Sequence, residues 1–401
     1  MLALTSIWTT VLLAAAVALG PLAIDMYLPA LPMIGDSLSA SAAEVQLTLS
    51  LYLVGFAIAQ LLCGPLADRF GRKPIMIGGF VLFAIASIGC ALSETIETLL
   101  LFRFLQALGG SAGPVLGRAA VRDIYTPREA ARIMAILASI MALAPAVAPT
   151  LGGFMMVSLG WESLFLALGA YSLLMALVVA FGIPEPMKPE YSQSMAIGSL
   201  LKNYRAIGSD IRFIGYTLTN SLTFAGLFAF LSGSSFVLIE FFGVRPEHFG
   251  LFFACIVAGY IAGNLTAIRL GPDLAPDQIL IRGLIVSVVG GLVMTGLVLE
   301  RVDSVWAIVL PQVVFMTGVG MVLPQTMAGA LASFPGMAGS ASALFGFIQM
   351  VVAAIVGVLV GYFHNGTPMV MASIIGICAV SALISYLLLV RRHPAAEFQA
   401  A

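Results

Sequence analysis

Charge is what this sequence has least of. Asp, Glu, Lys and Arg make up 9% of its 401 residues, against roughly 25% in soluble domains. A water-soluble chain that is 61% hydrophobic would expose large apolar patches and aggregate, so a soluble globule is excluded. A net charge of −1 leaves no basic face, and no nucleic-acid partner is expected. Cys63, Cys90, Cys255 and Cys378 form no CxxC pair and no disulfide framework; they read as small packed thiols. His248, His364 and His393 stand far apart, without metal-ligand spacing. No metal and no cofactor is expected. A GxxxxGK[ST] phosphate loop is also missing, which argues against ATP-driven chemistry. A membrane-embedded enzyme would need clustered His, Cys or acidic residues, and none occurs.

What the chain does have is continuous apolar stretches of roughly 20 residues, the length of a membrane-crossing helix rather than of a barrel strand. Gly, Pro and charged clusters divide them into twelve spans, near 7–30, 44–66, 74–93, 97–120, 131–156, 161–183, 211–237, 247–269, 279–299, 304–331, 338–362 and 367–390. The first has no Lys or Arg before it and exceeds a signal-peptide core, so it reads as a retained helix. A polar stretch with Pro184, Pro186 and Pro189 separates the sixth from the seventh. The expected organisation is an all-α membrane protein of two pseudo-symmetric six-helix bundles, 1–183 and 211–401, joined by a linker over 184–210. Six plus six is the layout of a transporter built from parallel repeats.

Lys and Arg in the loops orient it. With both termini on one side, fifteen of the 18 cations fall there; Arg245 and Arg301 lie opposite and Arg103 lies within a span. Such a bias marks the crowded side as cytoplasmic. Two charges stand inside the membrane. Asp25 sits in the apolar run from Trp8 to Leu31, where a charge costs about 2.5–3.5 kcal/mol at a helix centre. Intramembrane carboxyls mostly lie on transport pathways; the plainer alternative is an Asp satisfied by a neighbouring helix. Arg103, early in the fourth span, either snorkels outward or faces a pathway, where it would act on nearby carboxylates and bind anionic or carbonyl groups.

Gly64-Pro65-Leu66-Ala67-Asp68-Arg69-Phe70-Gly71-Arg72-Lys73 fills the loop after the second span. Its glycines permit a tight turn, and Asp68 can face a helix N-terminus. The run resembles the loop signature of the major facilitator superfamily. Leu101 to Gly110, with Arg103, resembles that family's fourth-helix signature. Ala144-Pro145-Ala146-Val147-Ala148-Pro149-Thr150-Leu151-Gly152-Gly153 partly matches its fifth-helix antiporter signature, with Ala148 where the family has Gly. Asp25-Met26-Tyr27-Leu28-Pro29-Ala30-Leu31-Pro32, Gln46 to Tyr52 and Arg118 to Tyr125 resemble bacterial bicyclomycin and chloramphenicol resistance exporters of the Bcr/CflA type. The likeness is strongest in the first half; the loop from Arg269 to Arg282 lacks the Asp-Arg pair.

The resemblance implies a monomeric, proton-coupled antiporter of the bacterial inner membrane, with cytoplasmic termini, exporting small amphipathic drugs. It implies that Asp25 carries the proton, with Arg103 modulating it or touching substrate. It also implies a cytoplasmic latch built on Gly64, Asp68, Arg69, Gly71 and Arg72. Asp68 is expected to meet the start of the eleventh span near Gly339-Ser340-Ala341, with Arg118 or Arg122 close by. Pro145, Pro149, Gly152 and Gly153 would form the antiporter helix. A midplane pocket has Tyr27, Tyr52, Gln106, Asn220, Phe224, Phe228, Met316 and Gln349 as candidate lining; its apolar wall suits amphipathic molecules. Export of a native metabolite, such as a sugar or amino acid, stays open beside drug export. A passive channel fits less well, for lack of polar rings.

Overall fold

The computed structural model describes residues 7–182, 185 and 197–393. Among the described residues it contains fifteen α-helices and no strand. The first span is α1 (Ile7–Asp25), a 3-10 turn at Leu28–Ala30, and α2 (Leu31–Leu38). Then come α3 (Ala42–Phe70) and α4 (Arg72–Ala91), followed by α5 (Ile96–Gly110) and α6 (Ala112–Ile124), which form one span jointed at Ser111. The first half closes with α7 (Pro127–Leu159) and α8 (Glu162–Gly182). After α9 (Ile197–Gly208), the second half runs through α10 (Ile211–Ser235), α11 (Pro246–Leu270), α12 (Pro276–Leu299), α13 (Trp306–Ala332), α14 (Ala338–Tyr362) and α15 (Met369–Ser385).

Local chemistry sets the ends. Ser41 and Glu44 form a reciprocal capping box at the start of α3, satisfying two orphan N–H groups. Pro127, Pro246 and Pro276 open their helices, where a missing N–H costs nothing. Gly71, at φ +97°, turns the chain between α3 and α4, a conformation that a side chain would strain.

Eleven helical stretches among the described residues are long and apolar enough to cross a membrane. The twelfth expected span lies in the 33-residue α7, part of whose side chains are outside the described residues; its described apolar part is Leu143–Leu159. Large apolar side chains such as Leu101, Phe154, Phe181 and Leu299 are exposed on the outside, as a lipid-facing surface requires. The linker expected over 184–210 is only partly in view. Residues 186–196, with Pro186, Lys188 and Pro189, lie outside the described residues, as does Pro184, and the end of the stretch folds as α9.

The two halves repeat one packing scheme. A side chain at Gly55 of α3 would meet the Phe104 carbonyl of α5, and one at Gly259 of α11 would meet the Val313 carbonyl of α13. Gly109 of α5 sits against the Gly79 carbonyl and Phe83 nitrogen of α4; Gly318 of α13 sits the same way against Gly283 and Ser287 of α12. These close approaches put α3, α4 and α5 in register with α11, α12 and α13, although the residues themselves differ.

Two helix pairs join the halves. Gly153 of α7 packs on the Pro246 carbonyl, and Gly250 of α11 packs on Thr150. On the other side α3 and α14 run antiparallel, with Gln46 against Gly361, Ser50 against Gly357 and Gln60 against Gly346. Ser232 Oγ donates to Gln46 Oε1 (3.1 Å) and Ser235 Oγ to the Leu28 carbonyl (2.5 Å). Past Gln60, among the described residues, the two helices stand open at their glycines: a side chain at Gly64 or Gly339 would meet nothing within 4 Å. The halves are thus closed at the end that holds Leu28 and Gln46, and parted at the end of the basic loop.

Gly318→Ala and Gly109→Ala should each destabilise the protein by about 1–3 kcal/mol, the usual cost of overpacking, whereas Gly339→Ala should not. Thermal unfolding in detergent reads the difference.

Candidate functional site

Asp25 ends α1. Pro29, four residues on, has no N–H to extend the ladder, so the helix breaks into Met26, Tyr27 and the short 3-10 turn. The residue is 4% exposed. A charge there faces the negative end of a helix dipole in an apolar surround. Among the described residues no hydrogen bond or ion pair reaches its carboxyl.

Four contacts hold the segment around Asp25, three on its backbone and one on the Tyr27 side chain. Arg103 of α5 donates from Nη1 to the Ala23 carbonyl (3.2 Å). Gly152 of α7 packs on the Met26 carbonyl. The Tyr27 hydroxyl hydrogen-bonds with Thr48 of α3 (2.9 Å), and the Leu28 carbonyl takes the bond from Ser235 of α10. Three contacts come from the first half and the fourth from the second.

Arg103 is the largest fully buried side chain among the described residues. It does not snorkel. Its guanidinium lies over the rings of Tyr27 (4.5 Å to the centroid), Tyr52 (4.4 Å) and Phe165 (5.8 Å). Desolvated contacts of that kind contribute about 2 kcal/mol or more. Nη1 also donates to Gln106 Oε1 (2.7 Å), Gln106 Nε2 donates to Ser87 (2.8 Å), and Ser87 donates to the Phe83 carbonyl (2.7 Å). Arg103 Nε and Nη2 and the Tyr52 hydroxyl have no partner among the described residues. Arg103 makes no hydrogen bond or ion pair with Asp25: the guanidinium turns to the Ala23 carbonyl, and its link to Asp25 runs through the backbone.

The expected pocket residues divide accordingly. Tyr27, Tyr52 and Gln106 are fully buried; they wall in Arg103 instead of lining an open surface, because a buried guanidinium needs rings and acceptors around it. In the second half Asn220 Nδ2 donates to Thr326 Oγ1 (2.7 Å), and Gln349 Nε2 donates to Asn220 Oδ1 (2.8 Å). Phe228 and Met316 are buried, whereas Phe224 and Gln349 are half-buried. Thr326, Ser232 and Gln46 complete these polar contacts; all were visible as polar residues inside apolar spans, but nothing in the sequence paired them.

The loop motif holds a different set of partners from the one expected. Asp68 pairs with Arg72 (2.6 Å), and Arg72 Nε donates to Asp123 Oδ2 (3.0 Å). Among the described residues Asp68 makes no hydrogen bond or ion pair with Arg118, Arg122 or the start of α14. The α4 N-terminus is capped instead by Glu185, which accepts from the Arg72 and Lys73 backbone N–H groups (2.9 and 3.0 Å). Arg69 lies over Phe70 (5.3 Å). Continuing the antiparallel match of α3 with α14 past Gln60 and Gly346 would bring Asp68 beside Gly339, the expected partner. The two are apart because the halves diverge before reaching it. In α7, Pro145 and Pro149 are carried without breaking the helix; Gly152 and Gly153 supply its close contacts to the Asp25 break and to the second half.

The family model of the major facilitator superfamily matches residues 13–357, and the chain belongs to that superfamily. It is 37% identical over 374 residues to an MFS-type transporter of Bacillus subtilis, YdgK, covering 92% of each chain. A bicyclomycin resistance protein homolog of Haemophilus influenzae is 30% identical, covering 94% of each. A chloramphenicol resistance protein of Pseudomonas aeruginosa is 32% identical over 88% of this chain and 83% of that one. The fold also superposes on the crystal structure of a D-xylose–proton symporter with a TM-score of 0.75 at 16% identity, covering 96% of this chain and 98% of that one. The protein is a membrane transporter and not an enzyme, as its sequence indicated.

Gln106→Leu removes the one side-chain acceptor of Arg103 and should lower stability by about 1–3 kcal/mol, the cost of an unpaired buried group. Arg103→Lys should not restore function, since an ammonium cannot reproduce a fork held between two rings. Thermal unfolding and transport by the two variants check both outcomes.

Proposed function

We propose that this transporter is a proton-coupled antiporter that exports small amphipathic drugs, of phenicol or bicyclomycin type, across the bacterial inner membrane. The observation that carries the reading is Asp25, a carboxyl at a helix break beside the contact between the halves, with no hydrogen bond or ion pair among the described residues. Such a group is free to exchange its proton. The drug-resistance relatives support the class of cargo.

The basic loops and both termini are assigned to the cytoplasm on the bias of Lys and Arg. The closed end then faces the periplasm, and the parted halves open inward. Cargo enters from the cytoplasm or inner leaflet and favours loss of the Asp25 proton to that side. The halves rock, Asp68 comes alongside Gly339, and the outer contacts at Leu28 and Gln46 open. Release of cargo lets Asp25 take a proton from outside. One inward proton yields about 2.3 kcal/mol per 100 mV, enough for roughly 50-fold accumulation at 1.4 kcal/mol per tenfold. Arg103 holds the Ala23 carbonyl and Tyr27, so the strain of rocking at the break reaches Asp25 through its own backbone.

Asp25→Asn should insert normally and abolish proton-driven efflux from vesicles; unchanged efflux would remove Asp25 from the mechanism. Asp68→Asn should shift the population further toward the inward-open form, read by distance labels across the loop end. Proton release from purified protein on adding phenicols, bicyclomycin-like compounds, dyes or sugars separates drug from metabolite export.

A further inference from the structure

The internal repeat gives Arg103 a counterpart. Phe104 and Val313 offer their carbonyls to matching glycines, Gly55 and Gly259, and Gly109 matches Gly318 five residues further along each helix. Arg103 precedes Phe104; Gln312 precedes Val313. Gln312 is fully buried, and neither its Nε2 nor its Oε1 has a hydrogen-bond partner among the described residues. An amide left unpaired at both ends costs free energy twice, so a packing role does not account for it. Tyr52, three residues before Gly55, corresponds to Ile256, three before Gly259. The ring that Tyr52 lays against Arg103 is therefore replaced by an aliphatic side chain at the matching position.

The helix gives the side chain its direction. Val313, Thr317 and Gly320 of α13 face α11, and Pro311, Phe315 and Gly318 face α12. Gln312, Met316, Val319, Leu323 and Thr326 recur at the spacing of one helical stripe between those two faces. Lower on that stripe, Asn220 of α10 hydrogen-bonds with the Leu323 carbonyl and Thr326, and Gln349 of α14 joins them. Both α10 and α14 touch the first half. Gln312 thus stands at the closed end of the stripe that carries the second half's polar cluster.

We propose that Gln312 is a cargo contact of the second half, giving the amide donor and acceptor to a neutral molecule that carries an adjacent hydroxyl or amide. This rests on the export reading. Gln312 then selects such molecules over amphiphiles that offer no hydrogen-bonding group, which depend on the apolar wall alone.

Gln312→Met keeps the shape and removes the hydrogen bonds. In proteoliposomes it should raise the KM for chloramphenicol about tenfold, equivalent to about 1.4 kcal/mol, with little change in kcat. Export of tetraphenylphosphonium, which has no hydrogen-bonding group, should be unaffected, and the Tm should not fall. An unchanged chloramphenicol KM overturns the proposal. So does a parallel loss of both exports with a lowered Tm, which would mean that the amide is bonded within the fold. A wild-type protein that exports tetraphenylphosphonium but not chloramphenicol leaves the export reading standing and removes Gln312 from it. A wild-type protein that moves neither, and matches Asp25→Asn, takes down both.

Discussion

The structure depends on how one broken helix is held. Between Ala23 and Leu28 the chain leaves α-helical geometry, and four elements grip it: α5 through Arg103, α7 through Gly152 and α10 through Ser235 on the backbone, and α3 through Thr48 on the Tyr27 hydroxyl. Among the described residues no hydrogen bond or ion pair grips the Asp25 side chain. A carboxyl fixed by its own ion pair would be a structural group. One positioned through its neighbours has a defined location without an ion pair of its own. The fourth grip comes from the opposite half, so the environment of this segment changes whenever the halves move.

The repeat that underlies the fold has been used unequally. Glycines at matching positions preserve the helix approaches in both halves, since backbone contact tolerates no side chain. The polar chemistry has diverged. The first half encloses a cation among rings, and the second holds neutral amides and hydroxyls. Proton handling and cargo handling can then be shared between halves without competing for the same groups.

Much of this was legible beforehand. Low charge, apolar run length and the Gly64–Lys73 loop carried the architecture, because hydrophobic length and tight-turn chemistry are local properties. Asp25 and Arg103 stood out for the same reason: each is a charge where solvation is missing. Partnerships were harder to read. Nothing in the run around Arg103 indicates that its guanidinium selects a backbone carbonyl and two tyrosine faces over Asp25. The α3–α14 register pointed Asp68 at Gly339, but whether the ends meet is a matter of conformational state.

Glu185 grips two N–H groups at the start of α4, so the tether between the bundles is moored before it leaves the first. Twelve residue steps separate Glu185 from Ile197, where α9 begins. Twelve steps of extended chain reach about 40 Å at most. Chain length thus sets the outer limit on how far Ile197 can move while Glu185 keeps its hold on α4.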